Sequence, residues 1–176
     1  MMTEREHPFI TYLEGLRDDR GALAALRRGL GQPPGSAVEM YRYVVPWITA
    51  GASQQEERAC YLVAALFAYH PDPGGWGNLG DAFRRTLDPR DNTAIERRFT
   101  ALLAAHPDDL PFYLRQAVGF LRSRQPPVPV NWHRLLYDLR RWGYDNRPVQ
   151  QEWERSFWGR APQETSEAQE AAPETR

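Results

Sequence analysis

No lysine occurs anywhere in this chain. All 22 basic residues are arginine, so Schiff-base catalysis and a P-loop phosphate clamp, both of which need an amine, are excluded. A single cysteine, Cys60, rules out an internal disulfide framework and any CxxC metal or redox pair. No apolar run approaches the roughly 20 residues of a membrane span, and the N-terminal MMTEREHPFI has no signal-peptide core. A cytoplasmic protein without membrane contact is expected. The four histidines are scattered, with no HExxH or paired-ligand spacing, and no GxSxG elbow or repeated carboxylate spacing is present. No catalytic residue, metal site or cofactor is therefore expected.

What remains is 176 residues, 41% of them hydrophobic, with a net charge of −1. That length suits one domain with a real core. The near-zero net charge hides an uneven distribution. Residues 84–142 carry eleven arginines against six acids, whereas residues 161–176 carry four glutamates against Arg176. The latter stretch has no aromatic or branched aliphatic residue and is read as a disordered acidic tail, because it cannot bury enough surface to offset its ordering entropy. The expected division is a helical domain over residues 1–160 and the tail over 161–176.

Before the tail the periodicity is helical throughout, and no strand is needed to explain it. Phe9, Tyr12, Leu13 and Leu16 form one stripe, and Leu23, Leu26 and Leu30 another that stops at Gly31. Capping boxes at Ser36/Glu39, Ser53/Glu56 and Thr93/Glu96 predict helix starts, with Pro46 ending the first of these near Val45. The segment from Ala59 to Tyr69 is apolar on nearly every face and predicts a central buried helix, in which Cys60 is an inert buried thiol. Ile95, Phe99, Leu102 and Leu103 form the next stripe, followed by Leu110, Leu114, Ala117, Val118 and Leu121. After the QPPVPV connector come Trp132, Leu135, Leu136, Leu139 and Trp142, then a last helix from about Arg147 to Trp158. The expected fold is all-α, a single compact domain of eight or nine helices.

Two features have plain explanations. GWGNLG at 75–80 fits G-x-G-x-x-G in letter only, since a helix and HPDPG precede it where a dinucleotide turn needs a strand. It is read as a flexible connector whose glycines permit a close backbone approach. His70 and His106 sit where helices stop, where a cationic side chain suits the helix dipole.

The arginines are the remaining feature. Arg27 and Arg28 lie off the Leu23/Leu26/Leu30 stripe and Arg97 and Arg98 off the Ile95/Phe99/Leu102 stripe, so both pairs face solvent or a partner. Arg115 and Arg122 are two turns apart on one helix face, with Arg124 just beyond. Arg134, Asp138 and Arg141 read as a self-neutralised exposed face. Planar guanidinium groups in a row can follow a phosphate backbone without reading bases. Pattern alone thus gives a helical binding module with a basic face.

The strings DRGALAALRRGLG (19–31), RYVVPW (42–47), YLVAALFAYHP (61–71), GNLG (77–80), ERRFTALLAAHPDDLPFYLRQAV (96–118) and VNWHRLLYDLRRW (130–142) together resemble the CasB family. That family is the small subunit of the type I-E CRISPR surveillance complex, Cascade, and the resemblance spans about residues 8–158. It implies a non-catalytic, all-helical subunit of a guide-RNA complex, present in two copies and packed against other Cascade subunits. It further implies a basic surface that holds target and displaced DNA strands, while guide pairing supplies sequence specificity. By matching position, Arg27 and Arg28 in ALRRGL and Arg97 and Arg98 in ERRF are the leading strand contacts. Arg42 in YRYV and Arg115 in YLRQAV follow, then Arg122, Arg140 and Arg141. The competing reading is a protein–protein adaptor whose arginines meet acidic partner surfaces without touching nucleic acid.

Overall fold

The computed structural model describes residues 6–160, and the acidic segment 161–176 lies outside the described residues. Among these residues the chain forms nine α-helices and no strand: α1 (Pro8–Gly15), α2 (Arg20–Arg27), α3 (Tyr41–Val44), α4 (Gln54–Tyr69), α5 (Leu79–Arg84), α6 (Asn92–Leu103), α7 (Leu110–Ser123), α8 (Trp132–Leu139) and α9 (Pro148–Trp158). One buried apolar cluster takes side chains from every helix, which gives the single core that the stripes predict.

At its centre is α4, whose residues from Ala59 to Ala68 are buried apart from Leu62. The helix starts at the expected capping box: Ser53 Oγ accepts from the Glu56 amide at 3.2 Å and Glu56 accepts from the Ser53 amide at 2.9 Å. Helices α2, α7 and α8 pack on α4, α6 packs on α7, and α5 lies along α9. Cys60 is buried as expected, and burial pushes its thiol pKa up.

The other two predicted boxes do not form. The Ser36 hydroxyl donates to the Pro33 carbonyl at 2.7 Å instead. The expected helix from Ser36 is broken into a 3-10 turn at Val38–Met40, the single turn α3, and a second 3-10 turn at Val45–Trp47 containing Pro46. Helix α6 starts one residue before Thr93, from Asp91, without a side-chain cap. A box that the sequence reading misses caps α5, where Asn78 and Asp81 exchange side-chain and backbone bonds.

That box also fixes the 75–80 loop, which is not a free connector. A Cβ on Gly75 would strike the Val130–Asn131 backbone, and one on Gly80 the Trp153 carbonyl. The close approach allowed by the glycines is to the chain's own backbone.

The face read as Arg134/Asp138/Arg141 also differs. Asp138 is fully buried; its Oδ1 accepts from Arg134 Nε at 2.9 Å and its Oδ2 from Trp153 Nε1 at 2.7 Å. Burial raises its pKa against the opposing pull of Arg134 and the Trp153 hydrogen bond. Trp153 also lies tilted against Trp142 at 5.1 Å, and through its indole hydrogen bond the Asp138 carboxylate joins α8 to α9 inside the core.

Candidate nucleic-acid interface

A charged side chain at a helix position off the apolar stripe must find solvent, a carboxylate or an aromatic face. The nine arginines singled out in the sequence divide accordingly. Arg27 and Arg28 are exposed at the C-terminal end of α2, and neither forms an ion pair with a described residue. Just beyond them Gly31, at φ +75°, lies against Arg115 of α7: a Cβ there would come within 2.7 Å of Arg115 Nη1. Arg115 rims a groove of about 500 Å³ whose walls include Pro33, Tyr61, Leu62 and the exposed ring of Phe112.

Two turns along α7, the Arg122 guanidinium lies 4.8 Å above the Tyr69 ring at the end of α4. On the other flank of α7, Phe120 is covered by Arg98 of α6 at 4.5 Å and by Arg124 at 5.3 Å. Arg97, one residue before Arg98, is exposed with no ion pair to any described residue. Guanidinium stacking on a ring uses the flat face of the cation and leaves its in-plane N–H donors pointing outward.

We call this set of residues a lane: Arg27 and Arg28 at the end of α2, Arg115 and Arg122 along α7, Arg98 and Arg124 over Phe120, and Arg97 beside Arg98 in α6. Helix α7 has 14 residues and no acid, a length of about 21 Å. At 3.4 Å per phosphate that is roughly six phosphates of one B-form strand. Asp108 and Asp109 directly precede the helix, and Asp108 lies 4.0 Å from Arg58.

Three of the nine lie elsewhere. Arg42 is exposed on α3 with its guanidinium 5.6 Å from the Tyr43 ring. It belongs with Tyr12 and Asp19 at the opposite end of α2 from Arg27 and Arg28. Arg140 and Arg141 are half-buried and engaged within the fold. Arg140 Nη2 is 3.0 Å from His7 Nε2, and its charge acts on the Cys60 thiol. Arg141 pairs with Glu152 at 3.5 Å and covers Tyr137 at 4.7 Å.

Spacing marks Arg124 only as lying just beyond Arg122, and it does not mark Arg85 at all. The Arg85 guanidinium is 4.5 Å above the exposed ring of Trp76. Arg85 and Arg124 both line a shallow cavity of about 420 Å³ walled by Pro126 and Pro127. Arg124 stands just past the end of the Leu110–Leu121 stripe, whereas nothing in the sequence pattern marks Arg85, because α5 is too short to show a stripe. The pairing itself is tertiary.

The histidines are structural in position. His70 is buried at the C-cap of α4, with Nε2 2.8 Å from the Val128 carbonyl, and so ties α4 to the proline connector. His106 is exposed and accepts from the Asp108 amide. His7 caps α1 by accepting from the Phe9 amide, while its own amide donates to His133 Nδ1 at 2.8 Å. Among the described residues no three His, Cys, Asp or Glu side chains stand close enough together to hold a metal ion. Nor is any helix among them long and apolar enough to cross a membrane.

Comparison with known proteins places this geometry in context. The family model for CRISPR-associated protein Cse2 matches residues 22–158. The CRISPR-associated protein Cse2 of Thermus thermophilus is 36% identical over 170 residues, covering 95% of this chain and 96% of that protein. The crystal structure of CasB from Thermus thermophilus superposes with a TM-score of 0.75 at 35% identity, over 86% of this chain and 96% of that one. A chain of a CRISPR RNA-guided surveillance complex superposes with a TM-score of 0.72 at 28% identity, over 85% and 88%.

Proposed function

This chain belongs to the Cse2 family of CRISPR-associated proteins, and from that premise we propose that it is a non-catalytic subunit of a type I-E Cascade complex that holds DNA through arginine–phosphate contacts. It acts in the cytoplasm beside other Cascade subunits, the guide RNA and a second copy of itself. Its role is to stabilise the R-loop by holding the target or displaced strand. The exchange of a DNA duplex for a guide–target hybrid is nearly balanced in energy, so a few protein cations tip it.

The observation that carries this reading is the lane along α7. Arg27, Arg28, Arg97, Arg98, Arg115 and Arg122 are all exposed, the helix between them has no acid, and aromatic rings support Arg98 and Arg122. Arg134 and Arg141, which serve the fold, are by contrast paired with carboxylates. Arg42 is a contact of the same kind on a separate patch. Arg140 and Arg141, with partners inside the fold, reach a strand only by giving those partners up.

A second reading has its own observation. Val38, Tyr41 and Val45 recur at i, i+3 and i+7 and are 65%, 41% and 51% exposed, an apolar strip that suits a protein neighbour. The adaptor reading rests on it. The test is target-duplex binding by the guide-RNA complex reconstituted with and without this subunit. A gain in stable R-loop that Arg97→Ala with Arg98→Ala abolishes is the expected result. Normal assembly with no gain in DNA retention would leave the adaptor reading standing alone.

A further inference from the structure

The acidic segment 161–176 has no part in the reading above, yet in sequence it follows α9, whose last aromatic residue packs against α6. At the end of α9, Trp158 is half exposed and stands edge-on to Phe99 at 5.5 Å, next to Phe157 at 4.5 Å from the same ring. Phe99 follows Arg97 and Arg98 in α6. It also touches Phe83, whose other neighbour is Phe120, the ring under Arg98 and Arg124. Arg84 holds this exit in place by donating to the Gly159 carbonyl at 2.6 Å. The end of α9 therefore packs on α6 at Phe99, the residue next to Arg97 and Arg98, two exposed arginines without a carboxylate partner among the described residues.

We propose that residues 161–176 dock on the Arg97/Arg98/Arg122/Arg124 end of the lane as an intramolecular competitor for nucleic acid. Three features of the segment fit that occupant. It carries Glu164, Glu167, Glu170 and Glu174 against one arginine at its far end, a charge opposite to the surface beside it. Its 16 residues are enough to reach along α7, since an extended chain can span up to about 3.3–3.6 Å per residue. It has no aromatic or branched aliphatic residue, so the contact is electrostatic and dissolves readily when phosphates compete. A tethered segment of this length acts at an effective concentration on the order of millimolar. Such a device weakens binding to stray nucleic acid, while a strand presented by the assembled complex displaces the glutamates. Docking itself does not depend on the DNA-holding reading; the competition does.

The test uses the full chain and a full-length variant with Glu164, Glu167, Glu170 and Glu174 each replaced by Gln. The first readout needs no nucleic acid: the arginine Nε–H resonances of Arg97, Arg98, Arg122 and Arg124. Docking predicts that they differ between the two proteins at about 50 mM salt, converge at about 500 mM as screening shortens, and do so independently of protein concentration. Identical resonances overturn docking, and a difference that grows with protein concentration overturns an intramolecular contact. The second readout is affinity for an oligothymidylate strand, expected to rise about five-fold in the glutamine variant at low salt if tail and strand compete at millimolar effective concentration. An equal rise when the four arginines are also glutamine would overturn the assigned surface. Shifted resonances in a protein that binds no strand in either form would keep docking and overturn the DNA-holding reading alone.

Discussion

Replacing Arg98, Arg122 and Arg124 together by glutamine removes three charges from the α6–α7 end of the lane while keeping most of each side-chain stem. Each arginine neutralising one phosphate contributes about −0.7 to the slope of log affinity against log salt on a single strand. Losing all three therefore flattens the slope by about 2, and between about 50 and 200 mM salt the loss of affinity shrinks roughly twenty-fold. The variant also gives up three guanidinium–ring contacts, at 4.5, 4.8 and 5.3 Å. At about 0.5–1 kcal/mol each for exposed pairs, the fold loses about 1.5–3 kcal/mol, so its melting must be recorded before its binding is interpreted. The assay is target retention by the reconstituted complex across that salt range, with Arg141→Gln as the comparison. Arg141 already has Glu152 as a partner, so its loss lowers stability and leaves the slope where it was. A triple variant that stays folded and keeps the full slope would refute the phosphate reading of this surface.

Other consequences concern the fold that holds the lane. Asp138→Ala removes the buried carboxylate that accepts from Arg134 and strips Trp153 Nε1 of its acceptor; chemical denaturation should show a loss of about 3 kcal/mol, the scale for breaking one side of a buried pair. Gly80→Ala drives a methyl into the Trp153 carbonyl and the Asn78 cap, and should cost about 1–3 kcal/mol through the α5–α9 contact. Burial, then the charges of Arg140 and His133, hold the His7 imidazole below its ordinary value of 6.5. The unfolded chain then takes the proton more readily, so this contribution to stability is complete above about pH 6.5 and is lost as pH falls towards the folded-state value. His7→Asn keeps an acceptor for the Phe9 amide but cannot titrate; its melting temperature should fall less than that of the parent between about pH 7 and pH 5, and an equal fall would remove His7 from the account.

The helices with long apolar stripes were legible because their burial is set by local period: α4, α6, α7 and α8 stand where Ala59–Tyr69, Ile95/Phe99/Leu102, Leu110–Leu121 and Trp132–Leu139 predict. Capping boxes were a weaker guide. Ser53/Glu56 formed, but Ser36 had a nearer acceptor in the Pro33 carbonyl, and a hydroxyl that can close a local turn competes with the cap. Helix α5 escaped notice because six residues give too short a stripe, with Leu79 and Phe83 alone to mark it. Asp138 was misread for a different reason. Spacing from Arg134 and Arg141 suggests an exposed ion-pair face, yet the same position lies three residues from Leu135 on the buried side. Only the distant Trp153 N–H reveals why a carboxylate belongs there. Exposure of the Arg27/Arg28 and Arg97/Arg98 pairs could be read from helical phase. Their alignment with Arg115 and Arg122 could not, because it depends on α2 ending against α7 at Gly31.

That alignment bears on how, under the function proposed above, a chain of net charge −1 would hold DNA. With no overall positive field, it has little long-range attraction for a polyanion, and screening leaves each guanidinium a reach of about 8–10 Å at ordinary salt. The lane therefore works only on a strand already brought beside it. In the proposed complex, guide pairing supplies that strand at an effective concentration far above bulk, an advantage that free nucleic acid lacks. On the proposed reading, low intrinsic affinity is the property that would confine these arginines to an R-loop. Raising the charge of the whole subunit should increase stray binding faster than it increases retention of the paired target.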